Sequence, residues 1–394
     1  METIAIIGAG HAGLTLAREI RQQDKSVNLV ILSQEEICAY YKPNLSKALS
    51  TGKSPDQLIT KEASQLEAEL QCTLLHRVCV TRIEPEIKVL TYEMPDETQR
   101  TLKYDRLVLA TGATPMPLPS HVADSAQLLA INHLEDYRKF RNVLNTKKQV
   151  AIIGAGFVGC ELASDLSSQG YQVSVIDRAE WPLNRAVPEV MGSAIRTALS
   201  SHMDVRWFLG KTIEAVDRLN EQTIVRFSDG FLLAADVVVS AIGLRPNTEL
   251  ARQINAQVDL GIVVDAFSQT SIPHIYALGD CVEYHGSPLP FISPATHAAK
   301  ALAKTLTGQP TELLLPSLAV PVKIGPCPTL ICPSLGKRGV WEVQGSGIDL
   351  EAHYLNEFGQ LTGFALTGKC VSRKMELARQ CQSVASDAPL SLAS

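Results

Sequence analysis

Two glycine-rich segments are the clearest signs of chemistry in this sequence. In each one, the first glycine permits a tight turn, the second lets a pyrophosphate approach the backbone, and the third lets a helix pack closely on a strand. A helix that begins here offers free N–H groups to phosphate oxygens. Two such segments predict two dinucleotides, and we expect the backbone of His11 to matter more than its ring. The residues concerned are Gly8, Ala9, Gly10, His11, Ala12 and Gly13 in the first loop, and Gly154, Ala155, Gly156, Phe157, Val158 and Gly159 in the second.

Each loop is flanked by the elements that a dinucleotide-binding unit needs. An apolar, β-branched run precedes it, a helical stretch follows it, and a second apolar run comes next. Parallel strands that alternate with helices predict an α/β fold. The predicted strand, helix and strand are Thr3–Ile7, Leu14–Gln22 and Val27–Leu32 in the first unit, and Val150–Ile153, Cys160–Gln169 and Tyr171–Ile176 in the second.

The residues that end the second strand of each unit indicate which nucleotide binds. Asp177 closes this strand in the second unit, where a carboxylate accepts hydrogen bonds from both ribose hydroxyls and repels a 2′-phosphate. This favours NADH over NADPH, although the adjacent Arg178 could host that phosphate. The first unit has Ser33 and Gln34 here instead of an acid. Either these two residues replace the ribose contact, or Glu35 reaches back to it.

Polar residues also stand out in the KPNLS segment and after the strand IYALG. Pro43 biases Lys42 towards an extended backbone. Lys42 is then either an exposed turn residue or an ammonium beside a redox ring, where it would stabilise the anion formed on reduction. Asp280 is either a helix N-cap or a partner of a polyol hydroxyl. The small-residue turns Ala110–Pro115 and Ala241–Asn247 predict two crossings between domains.

The composition limits the class of protein. With 394 residues, of which 45% are hydrophobic, we expect two or three domains. The net charge of −5 argues against general nucleic-acid binding. No apolar run is long enough to cross a bilayer, and a strand begins too early for a signal peptide, so we expect a cytoplasmic protein without membrane insertion. The nine cysteines show neither a disulfide framework nor metal-ligand spacing.

Together these motifs resemble the flavoprotein reductases that bind two dinucleotides, the glutathione-reductase-like group. The resemblance covers nearly the whole chain, and KPNLS, GCELASDL, SAIGLRP, IYALGDC and PVKIGPCP are similar to its ferredoxin- and rubredoxin-reductase branch. It implies an α/β fold with two Rossmann-like dinucleotide-binding domains and a smaller α+β C-terminal domain. The implied divisions are a FAD-binding domain at 1–114 and 243–312, an NADH-binding domain at 115–242, a C-terminal domain at 313–382 and a disordered tail at 383–394.

The resemblance also implies which residues bind each cofactor. FAD would lie on the first loop, with Lys42 beside the isoalloxazine, Asp280 on the ribitol, and Ile292 and Lys323 at the far end of the flavin. Glu161 would pair with Lys42 and border the nicotinamide, because an unpaired charge in a desolvated cleft is costly. From its position alone Glu161 has the alternative of being a capping or surface residue of the helix. The other residues implied are Ser33, Gln34, Pro43, Val80, Ala110, Thr111 and Gly112 for FAD, and Asp177, Arg178 and Gly243 for NADH.

The implied reaction is hydride transfer from NADH to FAD, followed by transfer of single electrons to rubredoxin or a similar small acidic iron protein. In this family context the acceptor would supply an alkane hydroxylase. Ferredoxin or a flavin-linked rubredoxin domain would suit the same architecture. An acidic partner calls for a local basic patch despite the negative net charge. The candidates for that patch are Lys42, Lys47, Lys53, Lys323, Lys337 and Arg338.

Two other functions stay open at this stage. A disulfide reductase would carry a cysteine pair, with four residues between the two cysteines, near the flavin. Only Cys38 lies in that region, whereas Cys327 and Cys332 have the spacing but lie near the C-terminus among prolines. We expect ordinary burial for these two. The other function is that of a non-enzymatic, NADH-sensing flavoprotein, against which only the lack of an appended effector domain argues.

Overall fold

A computed structural model of the chain describes residues 1–123, 128–145, 147–284, 286–334 and 338–381. Within those ranges, no helix is long and apolar enough to cross a membrane. The predicted disordered tail and Lys337 lie outside the described residues.

The first region, up to residue 115, contains a parallel sheet and two small antiparallel sheets. Its strands are β1 (Thr3–Ile7), β2 (Asn28–Leu32), β3 (Cys38–Tyr40), β4 (Ile59–Glu62), β5 (Thr73–Leu75), β6 (Cys79–Glu84), β7 (Val89–Glu93), β8 (Gln99–Lys103), β9 (Arg106–Leu109) and β10 (Ala113–Pro115). Its helices are α1 (His11–Gln23), α2 (Ala63–Leu70) and the 3-10 helices Lys42–Lys47 and Asp56–Leu58. β1 pairs in parallel with β2 and β9, and β5 extends the sheet beyond β2. The predicted first unit is confirmed, with α1 beginning already inside the glycine loop.

The prediction of an extended backbone at Lys42 is wrong. Lys42 begins the 3-10 helix Lys42–Lys47, called the Lys42 helix below, and the extended residue is Tyr41, with φ −90° and ψ 98°. Proline suits this first turn because its missing N–H would have no helical partner there. Pro43 disfavours a helical backbone at Lys42, but the helix forms because it buries Leu45 and Ser46 on its inner side.

The second region repeats the arrangement of the first. Its helices are α3 (Leu134–Leu144), α4 (Phe157–Ser168) and α5 (Glu189–Met203). Its strands are β11 (Gln149–Ile153), β12 (Gln172–Ile176), β13 (Val205–Phe208), β14 (Ile213–Leu219), β15 (Gln222–Phe227), β16 (Leu232–Ala235), β17 (Val237–Ser240) and β18 (Leu244–Pro246). A parallel sheet has the order β13-β12-β11-β17, and β14, β15 and β16 form an antiparallel sheet. The predicted second unit is confirmed, and α4 starts directly after Gly156.

The two predicted crossings lie side by side. β10 pairs antiparallel with β18, with Ala113 opposite Pro246. Asn247 joins the two segments, because its Nδ2 donates to the carbonyl of Thr111 at 2.8 Å and its Oδ1 accepts from Thr114 Oγ1 at 2.6 Å. The domain divisions predicted after residues 114 and 242 fall at this crossing and stay predictions.

The chain then returns to the first sheet before it forms the C-terminal region. The returning elements are α6 (Glu249–Gln253), β19 (Ile262–Val263), β20 (Ile275–Ala277), β21 (Val282–Tyr284), β22 (Ser287–Pro288) and α7 (Ile292–Leu306). β20 pairs in parallel with β9, and α7 packs on α1. The C-terminal elements are β23 (Val320–Val322), β24 (Thr329–Cys332), β25 (Gly339–Ser346), β26 (Asp349–Asn356), β27 (Leu361–Thr367), a 3-10 helix (Gly368–Arg373) and α8 (Lys374–Gln380). These strands form one antiparallel sheet in the order β23-β24-β27-β26-β25, in agreement with the α+β expectation.

Two large apolar cores support these sheets. The first surrounds the parallel sheet of β1, β2, β9 and β20. The second surrounds α4 and the parallel sheet of the second region, but it also includes Leu45 and Leu49 from the Lys42 segment and Ile324 and Ile331 from the C-terminal region. Three parts of the chain that are far apart in sequence therefore bury their apolar side chains together.

Candidate functional site: two nucleotide loops and a shared polar junction

The first glycine loop leaves open space only at its middle glycine. A Cβ atom on Gly8, whose φ is +117°, would lie 2.0 Å from the carbonyl oxygen of Ala110. One on Gly13 would lie 2.0 Å from the carbonyl oxygen of Gly8, whereas one on Gly10 would have no atom within 4 Å. The outer glycines are therefore required for packing, and the middle one lets a ligand approach the backbone.

The second glycine loop has the same geometry. A Cβ on Gly154 would lie 2.4 Å from the carbonyl oxygen of Ala241, one on Gly159 would lie 1.9 Å from that of Gly154, and one on Gly156 would meet nothing within 4 Å. Gly10 and Gly156 are the N-caps of α1 and α4, so both helices point the N–H groups of their first turns at this open space. Two open loops at two helix N-termini fit two pyrophosphate groups.

Asp177 lies at the second loop, as predicted for a ribose partner. Its Oδ2 accepts a hydrogen bond from the N–H of Ala155 at 2.6 Å, and its Oδ1 accepts from the N–H of Ala179 at 2.9 Å. The carboxylate therefore also fixes the loop itself, which sequence reasoning did not anticipate. The adjacent Arg178 is exposed.

The corresponding end of β2 is held by hydrogen bonds that involve Ser33 and Gln34. The N–H of Ser33 donates to the carbonyl of Leu75 at 2.9 Å, and Gln34 Nε2 lies 3.1 Å from the sulfur of Cys79. The carboxylate of Glu35 lies 3.9 Å from His133 Nε2. Both alternatives for the ribose contact, Ser33 with Gln34 or Glu35, stay predictions. Val80, expected on the adenine side, is buried in β6.

The crossing contributes the small residues that were expected beside each loop. Thr111 Oγ1 donates to the carbonyl of Asn247 at 2.8 Å, and Ala110 lies against Gly8. Gly112 has φ +68° with no atom within 4 Å of an added Cβ, and Gly243 has φ +119°. Both turns therefore use a backbone conformation that favours glycine.

Aromatic side chains from the two nucleotide regions meet where α4 faces α7. Phe157, in the second loop, lies 5.9 Å from Phe291 between ring centroids, in an edge-to-face arrangement. Phe291 is the N-cap of α7, so Ile292 lies beside it. His11 Nε2 lies 2.9 Å from Thr296 Oγ1 of α7, and burial, followed by the charge of Arg18, lowers the pKa of the His11 ring. The ring of His11 therefore joins α1 to α7.

Lys42 and Asp280 form one ion pair of the site. The Nζ of Lys42 lies 3.9 Å from Asp280 Oδ2. Burial raises the pKa of the Asp280 carboxyl, and the charge of Lys42 acts in the opposite direction. The alternative role of Asp280 as a helix N-cap is wrong, because the residues after it form β21 and not a helix.

The predicted ion pair between Lys42 and Glu161 is wrong. Glu161 is 7% exposed, and its carboxylate accepts from Lys323 Nζ at 2.8 Å and from the N–H of Lys323 at 3.0 Å. The hydroxyl of Ser46 also donates to it. These donors already satisfy the buried charge, so Lys42 turns to Asp280. Because Lys323 is paired here, it is also a weaker member of the predicted basic patch.

Sequence reasoning missed two further residues on the same side of α4. Ser164 Oγ accepts from the N–H of Gly325 at 3.0 Å. Asp165 accepts from the N–H groups of Leu49 at 3.1 Å and Ser50 at 2.8 Å. The signal was present: Glu161, Ser164 and Asp165 have the i, i+3, i+4 spacing that places side chains on one helical face. We call these three residues the junction face of α4, since they bind both the Lys42 segment and the C-terminal region.

The cysteines do not form the pair that their spacing suggested. Cys327 and Cys332 are both buried, as expected, but the sulfur that faces Cys332 is that of Cys381, at 4.0 Å. Burial raises the pKa of the Cys38 and Cys327 thiols, which disfavours the reactive thiolate. Among the residues that the structure describes, no group of three His, Cys, Asp or Glu side chains could hold a metal ion.

Comparison with known families agrees with this geometry. The family model described as "Pyridine nucleotide-disulphide oxidoreductase" matches residues 2–302. The chain belongs to this family. A second model, described as "Rubredoxin binding C-terminal domain", matches residues 312–381, which contain the antiparallel sheet of β23 to β27.

Curated relatives align with almost the whole chain. The rubredoxin-NAD(+) reductase of Alcanivorax borkumensis is 36% identical over 98% of this chain and 100% of its own length. The protein of the same name from Acinetobacter baylyi is 36% identical over 95% of this chain and 96% of its own. The nitric oxide reductase FlRd-NAD(+) reductase of Aeromonas hydrophila is 32% identical over 96% of both chains.

Solved structures of this family confirm the predicted fold class. The putidaredoxin reductase complex with putidaredoxin superposes with a TM-score of 0.85 at 26% identity, and the match covers 96% of this chain and 93% of that one. A ferredoxin reductase from Rhodopseudomonas palustris gives 0.86 at 26% identity, covering 97% and 96%.

Proposed function

We propose that the protein is an NADH-dependent FAD flavoprotein that passes single electrons to rubredoxin. The observation that carries the proposal is the pair of glycine loops, each open only at its middle glycine, in a chain whose C-terminal region matches a rubredoxin-binding domain. Relatives named rubredoxin-NAD(+) reductase support the choice of acceptor. The alkane hydroxylase suggested by the resemblance stays a prediction.

We assign the first loop to FAD and the second to NADH. The chemistry that FAD supplies when bound is the conversion of a two-electron hydride into single electrons. In this assignment Gly10 lets the FAD pyrophosphate approach α1, and Ser33, Gln34 and Val80 line the adenosine end. Asp280 accepts from a ribitol hydroxyl, and the other FAD residues stay as predicted: Pro43, Ala110, Thr111, Gly112, Ile292 and Lys323.

The ammonium of Lys42 is the group we assign to electrostatic stabilisation of negative charge near the flavin. Its partner Asp280 keeps it in the cleft without neutralising it by a short contact, since the two atoms lie 3.9 Å apart. Glu161 acts differently from the earlier prediction: it positions Lys323 and Ser46 around the place where α4 begins. Phe157 and Phe291 pack against each other at the start of α4.

Nucleotide preference tests the role of Asp177. Asp177→Ala is expected to raise the KM for NADH at least about tenfold and to narrow the preference for NADH over NADPH, because both a ribose partner and a support of the loop are lost. Arg178→Ala separates the second contribution: if Arg178 hosts the 2′-phosphate, this variant raises the KM for NADPH and leaves the KM for NADH within about twofold. Steady-state rates with both nucleotides give the comparison, and an unchanged ratio in Asp177→Ala would exclude the ribose role.

The acceptor is tested with purified rubredoxin and ferredoxin side by side. We expect NADH-dependent reduction of rubredoxin to be faster by more than about tenfold, and to slow as salt is added, since acidic partners are steered by charge. A faster rate with ferredoxin or with a flavin-linked rubredoxin domain would show that the acceptor is not rubredoxin, while the protein would still be a reductase. The flavin-linked rubredoxin domain is included because some relatives are named nitric oxide reductase FlRd-NAD(+) reductase.

A thiol titration during anaerobic reduction separates this function from disulfide reduction. The proposed reductase takes up two electrons per FAD, whereas a redox-active disulfide would take up two more. Reduction by NADH without turnover, in the presence of each acceptor, would instead favour a sensor.

A further inference from the structure

Asp165 connects the nucleotide-binding helix α4 to the segment that carries Lys42. It is 4% exposed, and each of its two oxygens accepts one backbone N–H, from Leu49 and from Ser50. These two amides follow Ala48, the C-cap of the Lys42 helix. One turn of α4 nearer its N-terminus, Glu161 accepts from the hydroxyl of Ser46. The junction face thus binds the Lys42 helix both within it and directly beyond its end.

The chemistry of the position indicates why it is a carboxylate. Burial raises the pKa of the Asp165 carboxyl, and the hydrogen bonds from Ser50 and Leu49, with the charge of Lys47, act against that rise. A buried carboxylate is costly to keep. An asparagine of the same size would offer one acceptor oxygen, and its NH2 group would face the other backbone N–H. An aspartate offers an acceptor oxygen to each of the two N–H groups.

The first residue of the held helix is Lys42, whose ammonium faces Asp280. A 3-10 helix fixes its residues in a short rigid rod, with about 2 Å of rise per residue. Loosening of its C-terminal end therefore displaces Lys42 at its other end. Leu45 and Leu49 pack in the second core and hold the Lys42 helix against α4. The hydrogen bonds to Glu161 and Asp165 set its orientation about its own axis.

We propose that Asp165 is a positioning residue for hydride transfer, which acts by holding Lys42 at the flavin. This inference rests on the proposed function, in which Lys42 lies beside FAD. It assigns a role to a residue of α4 that lies outside both glycine loops. In this proposal α4 has two functions: its N-terminus receives NADH, and its junction face supports Lys42, whose ammonium stabilises the reduced flavin.

Hydrogen exchange of the FAD-loaded protein tests the attachment itself. In Asp165→Asn we expect the backbone amides between residues 44 and 50 to exchange at least about tenfold faster, because one of the two N–H donors, from buried Leu49 or from Ser50, loses its acceptor. Ser164→Ala is the matched control: it removes an acceptor from the same helical face, but the amide that it releases is that of Gly325. Unchanged exchange between residues 44 and 50 in Asp165→Asn would overturn the proposal.

A double-mutant cycle with Lys42→Met tests the consequence. In the wild-type background, Asp165→Asn should slow stopped-flow hydride transfer from NADH about tenfold, with the Kd for NADH within about twofold. In the Lys42→Met background the same change should have almost no effect. Ser164→Ala should show no coupling to Lys42, so any change in rate that it causes should be the same in both backgrounds. An equal loss in both backgrounds would mean that Asp165 supports the fold generally, and would overturn the proposal.

Two results keep the inference separate from the function on which it rests. If Lys42→Met alone leaves hydride transfer unchanged, the assigned role of Lys42 fails and the inference fails with it, while the exchange data still decide whether Asp165 holds the helix. Asp165→Glu keeps two acceptor oxygens on a longer stem and should recover only part of the rate. If Asp165→Asn does not fold, Asp165→Glu replaces it in the double-mutant cycle. We then expect a smaller decrease in the rate of hydride transfer, which again disappears in the Lys42→Met background.

Discussion

At the scale of single residues, the middle glycine of each loop is the position where a side chain and a nucleotide would compete for the same space. Gly10 and Gly156 have φ −73° and −80°, which suit any residue, and an added Cβ meets no protein atom. The outer glycines are constrained by the fold itself. Substitution can therefore separate ligand binding from folding within one short motif.

Gly10→Val is expected to give a folded but colourless protein, because the valine occupies the space of the FAD pyrophosphate. Gly156→Val should remain yellow and raise the KM for NADH at least about tenfold. Absorbance, circular dichroism and steady-state kinetics check both variants. Gly8→Ala is the contrasting control, since its Cβ would lie 2.0 Å from a backbone oxygen and should destabilise the fold. A yellow Gly10→Val protein would show that FAD does not use this loop.

His11 gives the protein a pH-dependent term in stability. Burial, followed by the charge of Arg18, lowers its pKa from the ordinary value of 6.5. The unfolded chain then binds a proton more readily, so the contribution of His11 is complete above pH 6.5 and falls as the pH drops towards the lowered native pKa. Compared with His11→Gln, the wild-type free energy of unfolding in urea should decline between pH 7.5 and 5.5. A constant difference across this range would contradict the sign.

At the scale of secondary structure, the crossing of β10 and β18 is joined by the side chain of Asn247. Asn247→Ala leaves the carbonyl of Thr111 and the hydroxyl of Thr114 without their partner. We expect a loss of about 1–3 kcal/mol in the free energy of unfolding. Asn247→Asp is the control, because it still accepts from Thr114 but cannot donate to Thr111, and it should lie between the wild type and alanine. Urea unfolding followed by circular dichroism measures the series.

The elements that were predicted correctly have local causes. β1, β2, β11 and β12 are apolar runs beside glycine loops, and their pairing follows from the unit that such loops define. The partner of Glu161 was predicted wrongly because Lys323 is 162 residues away in the sequence. The sequence alone does not show whether Lys42 or Lys323 lies next to the buried carboxylate. The conformation of Lys42 also depended on tertiary burial, which overrode the local effect of Pro43.

At the scale of the whole molecule, the second core binds three regions together, and charge on the outside governs what approaches them. Leu45, Leu49, Ile324 and Ile331 pack with α4 in one cluster. The Lys42 segment, the nucleotide region and the C-terminal region therefore share one apolar core. A partner that binds the C-terminal region is expected to be attracted or repelled according to the sign of the exposed charges there.

Charge reversal on the C-terminal region tests that dependence. Arg338 is exposed directly before β25, and Arg338→Glu is expected to slow rubredoxin reduction about threefold or more at low salt and to flatten its salt dependence. Reduction of a small dye by NADH should stay unchanged, since hydride transfer takes place elsewhere. Arg218→Glu makes the same change in charge on β14 of the nucleotide region. If both variants slow rubredoxin equally, net charge and not a docking surface sets the rate, and the partner site has to be sought on another face.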